Sequence, residues 1–345
     1  MRRAEDRRWR IENCGDLRSS ILNPRPYSVN ERGVALLVVL WIFIFLFVVA
    51  FDFALSVREE GMATHRYSEE AEGYYLALAG FEEVLYNLLK QSSQPGQGGL
   101  ASSDVLDGSW HDGSLGEGSY RARVVDEGGK ININRVDEET LRRIFTNLGV
   151  DAKLTSVLVD SILDWRDEDN LHRLSGAEDD YYLSLSPPYT ARNGPLDTIE
   201  DLLWIRGVTP ELFYGSDEGG VRTVGLRDIL TVDSPTDRVN LRTASPEVIH
   251  ALTGLPLEKC RQFVEQRKQL SEQTLADVLK LLGIAAGDAA MRQFVFTNPT
   301  VISVEAAGRH GDSASQRQVK GVVRLLGAQR GFLLVRWVDR DTVRE

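Results

Sequence analysis

An uncharged and almost entirely apolar stretch of 18 residues, from Val34 to Phe51, is the feature that most constrains the fold of this chain. As a helix rising about 1.5 Å per residue, it would span about 27 Å, close to the ~30 Å hydrocarbon core of a bilayer. The apolar region of a secretory signal is shorter, about 7–15 residues, and a core helix is rarely apolar on every face over such a length. We therefore predict a single transmembrane helix, with a cleaved secretory signal or a buried core helix as the alternatives.

The two sides of this helix differ in charge. Residues 1–33 hold eight Arg and five Asp or Glu, a local charge of +3, which leaves −14 for the rest of a chain whose net charge is −11. By the positive-inside rule, the N-terminus is expected in the cytoplasm and the acidic body on the other side of the membrane. Such a body argues against a general grip on nucleic acid, which needs Lys and Arg to neutralise phosphates. Cys14 and Cys260 lie on opposite sides of the apolar stretch, so we expect no disulfide between them.

A narrower apolar stripe continues the helix beyond the membrane. Its members recur at alternating steps of four and three, the spacing of one helix face, and no Pro intervenes before Pro95. The stripe consists of Tyr67, Ala71, Tyr74, Leu78, Phe81, Leu85 and Leu88. We predict one helix from Val34 to about Leu89, whose second half packs on a sheet of the same chain. A coiled-coil stalk is the alternative.

Strand-like sequence lies at both ends of the remaining chain. It comprises "GSWHDG" and residues 119–127 after the helix, and residues 301–309, 317–326 and 332–340 near the C-terminus. The middle, from about 130 to 298, has helical patterning instead. The most economical fold is α+β, in which the long N-terminal helix packs on an antiparallel sheet that is interrupted by a large all-α insertion.

The helical middle contains an internal similarity. Residues 131–150 parallel residues 238–256, since each segment has an Asn, then a helix N-cap, a short helix and a Gly turn. The N-caps are expected at Asp137 and Ser245, because Asp and Ser side chains accept hydrogen bonds from the first free N–H groups of a helix.

Two further segments, 195–213 and 271–285, repeat the helix-then-Gly pattern, with Asp197 and Glu200 as a pair that resembles a capping box. Such units are similar to helix-hairpin-helix modules, which often hold the DNA backbone through the N–H groups of the Gly turn. Because these turns lack clustered Lys or Arg and the body is acidic, we favour structural repeats or a protein-docking surface over DNA binding.

An acidic cluster lies between two of these units. The candidate ligands are six of its carboxylates, Asp164, Asp167, Asp169, Glu178, Asp179 and Asp180. Ca²⁺ prefers six to eight oxygen ligands from carboxylates, carbonyls and water, and an irregular loop can supply them. A calcium site, a solvated acidic loop and a catalytic carboxylate pair are the three interpretations. Arg166 stands among these carboxylates and leaves the individual ligands open.

The other side chains with catalytic potential form no recognisable pattern. The five His are scattered, no HExxH, GxSxG, P-loop or GxGxxG motif is present, and neither Cys has a nucleophile context. We predict neither a zinc site nor an enzyme.

The edge of the apolar stretch indicates processing. Arg32-Gly33, followed at once by Val34, resembles the cleavage site of type IV pilin-like precursors, in which a prepilin peptidase cuts after the Gly. The fifth residue of the mature chain would be Val38, where that class usually has Glu. A carboxylate in the bilayer is costly unless it is paired. Its loss is tolerable in a subunit with no neighbour stacked above it, at a filament tip.

Five blocks together resemble the minor pseudopilin K family of type II secretion. They are "ININ" (131–134), "ILDWRDEDN" (162–170), "SGAEDDYYLSLSPPY" (175–189), "ARNGPLDTIEDLLWIRGV" (191–208) and "VNLRTASPEVIHALTGLP" (239–256). The resemblance extends over nearly the whole chain from Arg32 onward. It implies a pilin-like helix and sheet with an inserted α-domain, and acidic loops that bind structural calcium.

The resemblance also implies a role. The subunit would cap the tip of a periplasmic pseudopilus with minor pseudopilins I and J, and would meet the major pseudopilin, prepilin peptidase and inner-membrane assembly platform. It would be a single-pass inner-membrane protein with a methylated mature N-terminus, a cytoplasmic leader and a periplasmic body, and without nucleic acid. A membrane-anchored helix-hairpin-helix DNA-binding protein and a type IV pilus minor pilin remain as alternatives.

These predictions divide the chain into five parts. They are a leader (1–33), a transmembrane and assembly helix (34–55), a pilin-like helix with the first strands (56–129), the inserted α-domain (130–298) and the C-terminal strands (299–345).

Overall fold

The computed structural model describes residues 31–92, 106, 108–218, 221–267, 275–284, 292–311, 313, 315–326 and 331–340. Residues 1–30 of the predicted leader, including Cys14, lie outside the described residues. Cys260 is a buried free thiol.

The described helices are α1 (Glu31–Ser92), α2 (Glu138–Asn147), α3 (Ala152–Arg166), α4 (Asp179–Tyr182), α5 (Pro210–Tyr214), α6 (Leu226–Ile229), α7 (Pro246–Thr253), α8 (Leu257–Arg267) and α9 (Leu275–Leu282). The strands are β1 (His111–Leu115), β2 (Gly118–Asp126), β3 (Ile131–Asn132), β4 (Asp217–Glu218), β5 (Val221–Arg222), β6 (Leu230–Thr231), β7 (Val239–Asn240), β8 (Phe294–Val295), β9 (Val301–His310), β10 (Arg317–Leu325) and β11 (Phe332–Arg340). In the described part of the chain, 3₁₀ helices also span Glu127–Gly129 and Ile199–Trp204.

The chain divides into two compact units, Met1–Thr64 and His65–Glu345. In the described part of the first unit, residues 34–57 form helix whose large apolar side chains are all exposed. Within the residues that the structure describes, one helix is long and apolar enough to cross a membrane, and it starts near the N-terminus. This finding is compatible with the predicted membrane anchor.

In the second unit, the C-terminal part of α1 packs on a five-stranded antiparallel sheet with strand order β1-β2-β9-β10-β11. Phe81, Leu85 and Leu88 of the predicted stripe are buried there, whereas Tyr67 is 75% exposed. The contact therefore begins later along the helix than the stripe predicts. Gly321 allows the close packing of Phe81 on the sheet, because a Cβ at position 321 would overlap the Phe81 ring. The same ring meets Trp337 edge to face, with the ring centroids 5.0 Å apart.

The sheet is interrupted between β2 and β9. These strands pair directly, with Asp126 opposite Ile302, and residues 127–301 leave and return at that point. The predicted α+β class is therefore confirmed, including the pilin-like helix and sheet. The regular structure of the insertion is mainly helical, but among its described residues short segments also form three pairs of two-residue strands, which are too brief to produce a periodic signal.

The predicted internal similarity is confirmed in the hydrogen bonding of the insertion. Strand β3 pairs in parallel with β6, and β7 pairs in parallel with β8. Asp137 caps α2 and Ser245 caps α7, as predicted. The capping pair predicted at Asp197 and Glu200 is wrong by one residue at each position. Thr198 and Asp201 form the box instead, at the start of the 3₁₀ helix.

Candidate cation site in the inserted domain

Three of the six predicted carboxylates come together. Asp164 lies in the last turn of α3, Asp167 follows the helix end, and Glu178 precedes α4. One carboxylate oxygen from each residue lies within 4.8 Å of those of the other two. Positions three apart fall on the same side of a helix, so α3 presents Asp164 and Asp167 together to the segment that brings back Glu178.

The loop after α3 closes around the carboxylate of Asp164, which is fully buried. Arg173 donates its backbone N–H to Asp164 Oδ2 at 3.0 Å, and its guanidinium Nε lies 3.4 Å from Oδ1. Gly176 is required here, because a Cβ at that position would overlap Asp164 Oδ2. Burial raises the pKa of Asp164, and the nearby charge of Asp167 adds to that effect.

Glu178 is the least satisfied member of the cluster. It is 1% exposed, and neither carboxylate oxygen has a hydrogen-bond partner. Burial raises its pKa to about 7, and the negative charges of Asp164 and Asp167 act in the same direction. Buried polar atoms normally have a hydrogen-bond partner, so we expect the Glu178 carboxylate to bind a cation or to carry a proton. One oxygen of Asp167 is orphaned in the same way.

The two arginines near the cluster have different tasks. Arg166 donates its guanidinium N–H groups to the backbone carbonyls of Ile133 and Val136, while its charge also acts on Asp167. Arg173 lies 3.6 Å from Glu138 Oε2 as well as close to Asp164. Three carboxylates and one shared guanidinium leave an excess of negative charge, and this donor set fits a hard divalent cation.

The other three predicted ligands are not in the cluster. Asp169 accepts the backbone N–H of Leu171, Asp179 accepts that of Ala191, and Asp180 accepts that of Tyr181, each at 2.8 Å. Each of these carboxylates is therefore oriented by a backbone N–H group rather than towards the cluster. The spacing of the acidic residues in the sequence does not show which of them have such a donor. The structure narrows the predicted set of six to Asp164, Asp167 and Glu178.

An aromatic ladder behind the site was not anticipated. Trp165, Tyr182, Tyr189 and Trp204 contact one another in sequence, with ring centroids 5.2 to 5.3 Å apart. The Tyr189 hydroxyl donates to the Trp204 carbonyl at 2.8 Å. These ring contacts connect α3, α4 and the 3₁₀ helix of residues 199–204, and so help to stabilise the irregular residues 183–198 between them. The aromatic content of "DDYY" and "PPY" was the available signal.

Gly33 and Val34 lie in the first turns of α1, and the proposed cleavage between them remains a prediction.

Comparisons with known proteins give consistent matches. Residues 123–214, which contain the carboxylate cluster, match the family model described as type II secretion system (T2SS), protein K. Type II secretion system protein K of Klebsiella pneumoniae is 25% identical over 76% of this chain and 82% of that protein. The protein of the same name from Pseudomonas aeruginosa is 25% identical over 73% of this chain and 77% of its own length.

A solved structure shares the fold. A chain in the crystal structure of the GspK-GspI-GspJ complex from the enterotoxigenic Escherichia coli type 2 secretion system matches with a TM-score of 0.63. The match covers 82% of this chain and 100% of that chain, at 16% sequence identity.

Proposed function

We propose, from the confirmed resemblance of this chain to type II secretion system protein K, that it is a minor pseudopilin at the tip of the type II secretion pseudopilus. It would promote assembly of the filament that exports folded proteins across the outer membrane. The observation that carries this proposal is a pilin-like helix and sheet interrupted at Asp126 by the insertion of residues 127–301.

Two physical arguments favour the tip. An insertion of this size on a pilin-like sheet would obstruct the stacking of subunits in the interior of a filament. In addition, Val38 occupies the position where pilin-like subunits usually carry Glu. A subunit with nothing above it needs no such carboxylate in the bilayer, where an unpaired charge is costly.

Processing would expose the assembly helix. Prepilin peptidase would cut between Gly33 and Val34 on the cytoplasmic side of the inner membrane, and the new N-terminus would be methylated. The wild-type chain should give a mature N-terminus at Val34 by mass spectrometry, and Gly33→Val should retain the leader. A mature chain that begins elsewhere would refute this site.

Calcium would have a structural task in this subunit. Asp164, Asp167 and Glu178 would hold the ion, which would neutralise their charge and fix the loop of residues 167–178. The orphaned oxygens of Asp167 and Glu178 favour this proposal over a solvated loop, where water would satisfy them. The calcium proposal is also favoured over a catalytic carboxylate pair, because the loop after α3 covers the carboxylate of Asp164.

The proposed partners are minor pseudopilins I and J, followed by the major pseudopilin and the inner-membrane assembly platform. The solved relative supports the first two, since its crystal contains GspK, GspI and GspJ together. The body would lie in the periplasm and the leader in the cytoplasm, with a single membrane crossing.

The decisive experiment is genetic and biochemical. The full chain, expressed with pseudopilins I and J of its own system, should purify with them from detergent, and deleting its gene should abolish secretion of folded exoproteins. Absence of both effects would refute the proposal. Loss of type IV pili with intact secretion would favour a minor pilin, and tight, salt-sensitive DNA binding would favour the nucleic-acid alternative.

A further inference from the structure

The inserted domain contains two copies of one structural unit, and equivalent residues lie 108 positions apart at the start of each copy. Asn132 accepts the backbone N–H of Asn134 through its side chain, and Asn240 accepts that of Arg242 in the same way. The backbone carbonyls of these two Asn residues likewise accept the N–H of Val136 and Ala244, respectively. Each copy therefore begins with the same strand and turn before its first helix.

A partly buried Arg is the last residue of a helix in each copy. Arg166 is the last residue of α3, and its guanidinium donates to the carbonyls of Ile133 and Val136. Arg267 is the last residue of α8, and its guanidinium donates to the carbonyls of Leu241 and Ala244, at 2.9 and 2.5 Å. The second pair of carbonyls lies 108 positions after the first.

The two copies differ in the length of chain after the Arg. Gly207, which closes the next helical segment of the first copy, comes 41 positions after Arg166. Gly283, its counterpart, comes 16 positions after Arg267. The loop of residues 167–178 lies within this additional length, so the Arg anchor is common to both copies, whereas among the described residues the carboxylate cluster occurs in the first copy.

Helix geometry connects this anchor to the site. At about 100° per residue, Asp164 and Asp167 fall on one side of the end of α3, and Arg166 points away from them. A guanidinium has a rigid fork of donors that can hold two carbonyls at once. Anchoring it to the turn after β3 fixes the rotation of the last turn of α3, and with it the direction in which Asp164 faces, while the charge of Arg166 still acts on Asp167.

We propose that Arg166 is a positioning residue of the cation site, which it orients against Glu178 by anchoring the last turn of α3 to the carbonyls of Ile133 and Val136. The inference rests on the calcium part of the proposed function. It assigns Arg166 a task that its counterpart Arg267 does not have, although both have the same structural contacts.

The test compares Arg166→Lys and Arg166→Gln with Arg267→Lys and Arg267→Gln in the full chain in detergent micelles. Calcium affinity is measured by calorimetry after chelation, and unfolding is followed with chelator present. Lys lacks the rigid fork, and its mobile ammonium would be free to compete with calcium at the carboxylates. We expect both positions to lower the melting temperature. The variants at 166 should also weaken calcium binding about 10- to 100-fold, as is usual when a residue that orients metal ligands is lost.

The outcomes are distinct. Calcium affinity that is unchanged at 166, or weakened equally at 166 and 267, would overturn the positioning role while leaving the calcium site intact. A wild-type chain that binds no calcium in the same calorimetry would overturn the site itself, and the positioning role with it. Two variants at each position keep the comparison available if one of them fails to fold.

Discussion

At the scale of single residues, Glu178 is the group whose surroundings fit its charge least well. It is buried, it accepts no hydrogen bond, and the nearest charged groups include other carboxylates. A buried carboxylate in this situation is stabilised either by a proton or by a bound cation. The stability of the chain should therefore depend jointly on pH and calcium.

We expect the calcium-free chain to lose stability as the pH rises from about 4.5 to about 7. The pKa of Glu178 is raised to about 7 from an ordinary value of 4.5, so over this range the folded chain keeps a proton that the unfolded chain has released. Its contribution to stability is complete below about pH 4.5 and is lost as the pH passes 7. Thermal unfolding of the full chain with chelator, from pH 4.5 to 8, measures this effect, and saturating calcium should reduce it.

Glu178→Gln should separate the effect of protonation on stability from the effect of calcium binding. Removing the charge should stabilise the calcium-free chain at pH 7.5 by about 1 kcal/mol, or about 2–4 °C in Tm, and should abolish the gain in Tm that calcium produces. Glu168→Gln is the matched control, since Glu168 lies in the same loop but is exposed. If both variants respond to calcium like the wild type, Glu178 is not a ligand.

Gly176→Ala should damage the site by steric overlap. The added methyl would meet Asp164 Oδ2, so the loop would have to move, at about 1–3 kcal/mol of stability and with weaker calcium binding. Gly194→Ala is the control, because a Cβ there has its nearest neighbour 4.0 Å away. Denaturant unfolding and calcium titration of the two variants provide the comparison. Equal behaviour would show that the loop does not depend on Gly176.

At the scale of elements, the contact between α1 and the sheet supplies much of the apolar core of the pilin-like part. Phe81 is 5% exposed and meets Trp337 over Gly321, whereas Tyr86, on the other side of the same helix, is 62% exposed. Phe81→Ala should reduce the free energy of unfolding by about 3–5 kcal/mol, the usual cost of removing a buried aromatic ring. Tyr86→Ala should have little effect. Similar losses for the two variants in chemical denaturation would contradict the assigned packing face.

The longer elements could be predicted because their signals are periodic. The alternating segments at 301–309 and 317–326 became β9 and β10 within one residue at their ends. The apolar run and stripe gave α1, although the first member of the stripe, Tyr67, does not reach the sheet. Capping chemistry gave Asp137 and Ser245, because a helix start needs an acceptor for its free N–H groups.

Contacts between distant segments could not be predicted in this way. Asp126, at the end of β2, is 3% exposed and accepts hydrogen bonds from the side chains of Asn240 and Thr243, more than a hundred residues later. Similarly, Glu178 belongs to the carboxylate cluster and its neighbour Asp179 does not. Asp179 instead accepts a hydrogen bond from the backbone N–H of Ala191. Such choices depend on which donors the folded chain brings near, and local spacing does not contain that information.

At the scale of the second unit, His65–Glu345, the two faces of the sheet differ in chemistry. One face is apolar and packs on α1, whereas the other bears an ion-pair network in which Glu305 meets Arg123 at 2.6 Å and Lys320 at 3.1 Å. The inserted domain lies over this charged face across a cleft of about 550 Å³, and Arg336 of the sheet pairs with Asp233 of the insertion at 2.8 Å. A charged face tolerates water, so the sheet depends on the insertion less than on the helix.

This arrangement predicts that the pilin-like part folds without the insertion. Asp126 and Ile302 are direct cross-strand partners, so replacing residues 127–301 by Asn-Gly would join β2 and β9 through a two-residue hairpin turn of a favoured type. The shortened chain should retain its strand content by circular dichroism and unfold cooperatively, because the apolar face and α1 are unchanged. Its melting temperature should not respond to calcium, since Asp164, Asp167 and Glu178 are removed. A shortened chain without cooperative unfolding would show that the insertion is needed for the sheet, and one that calcium still stabilises would place the ion elsewhere.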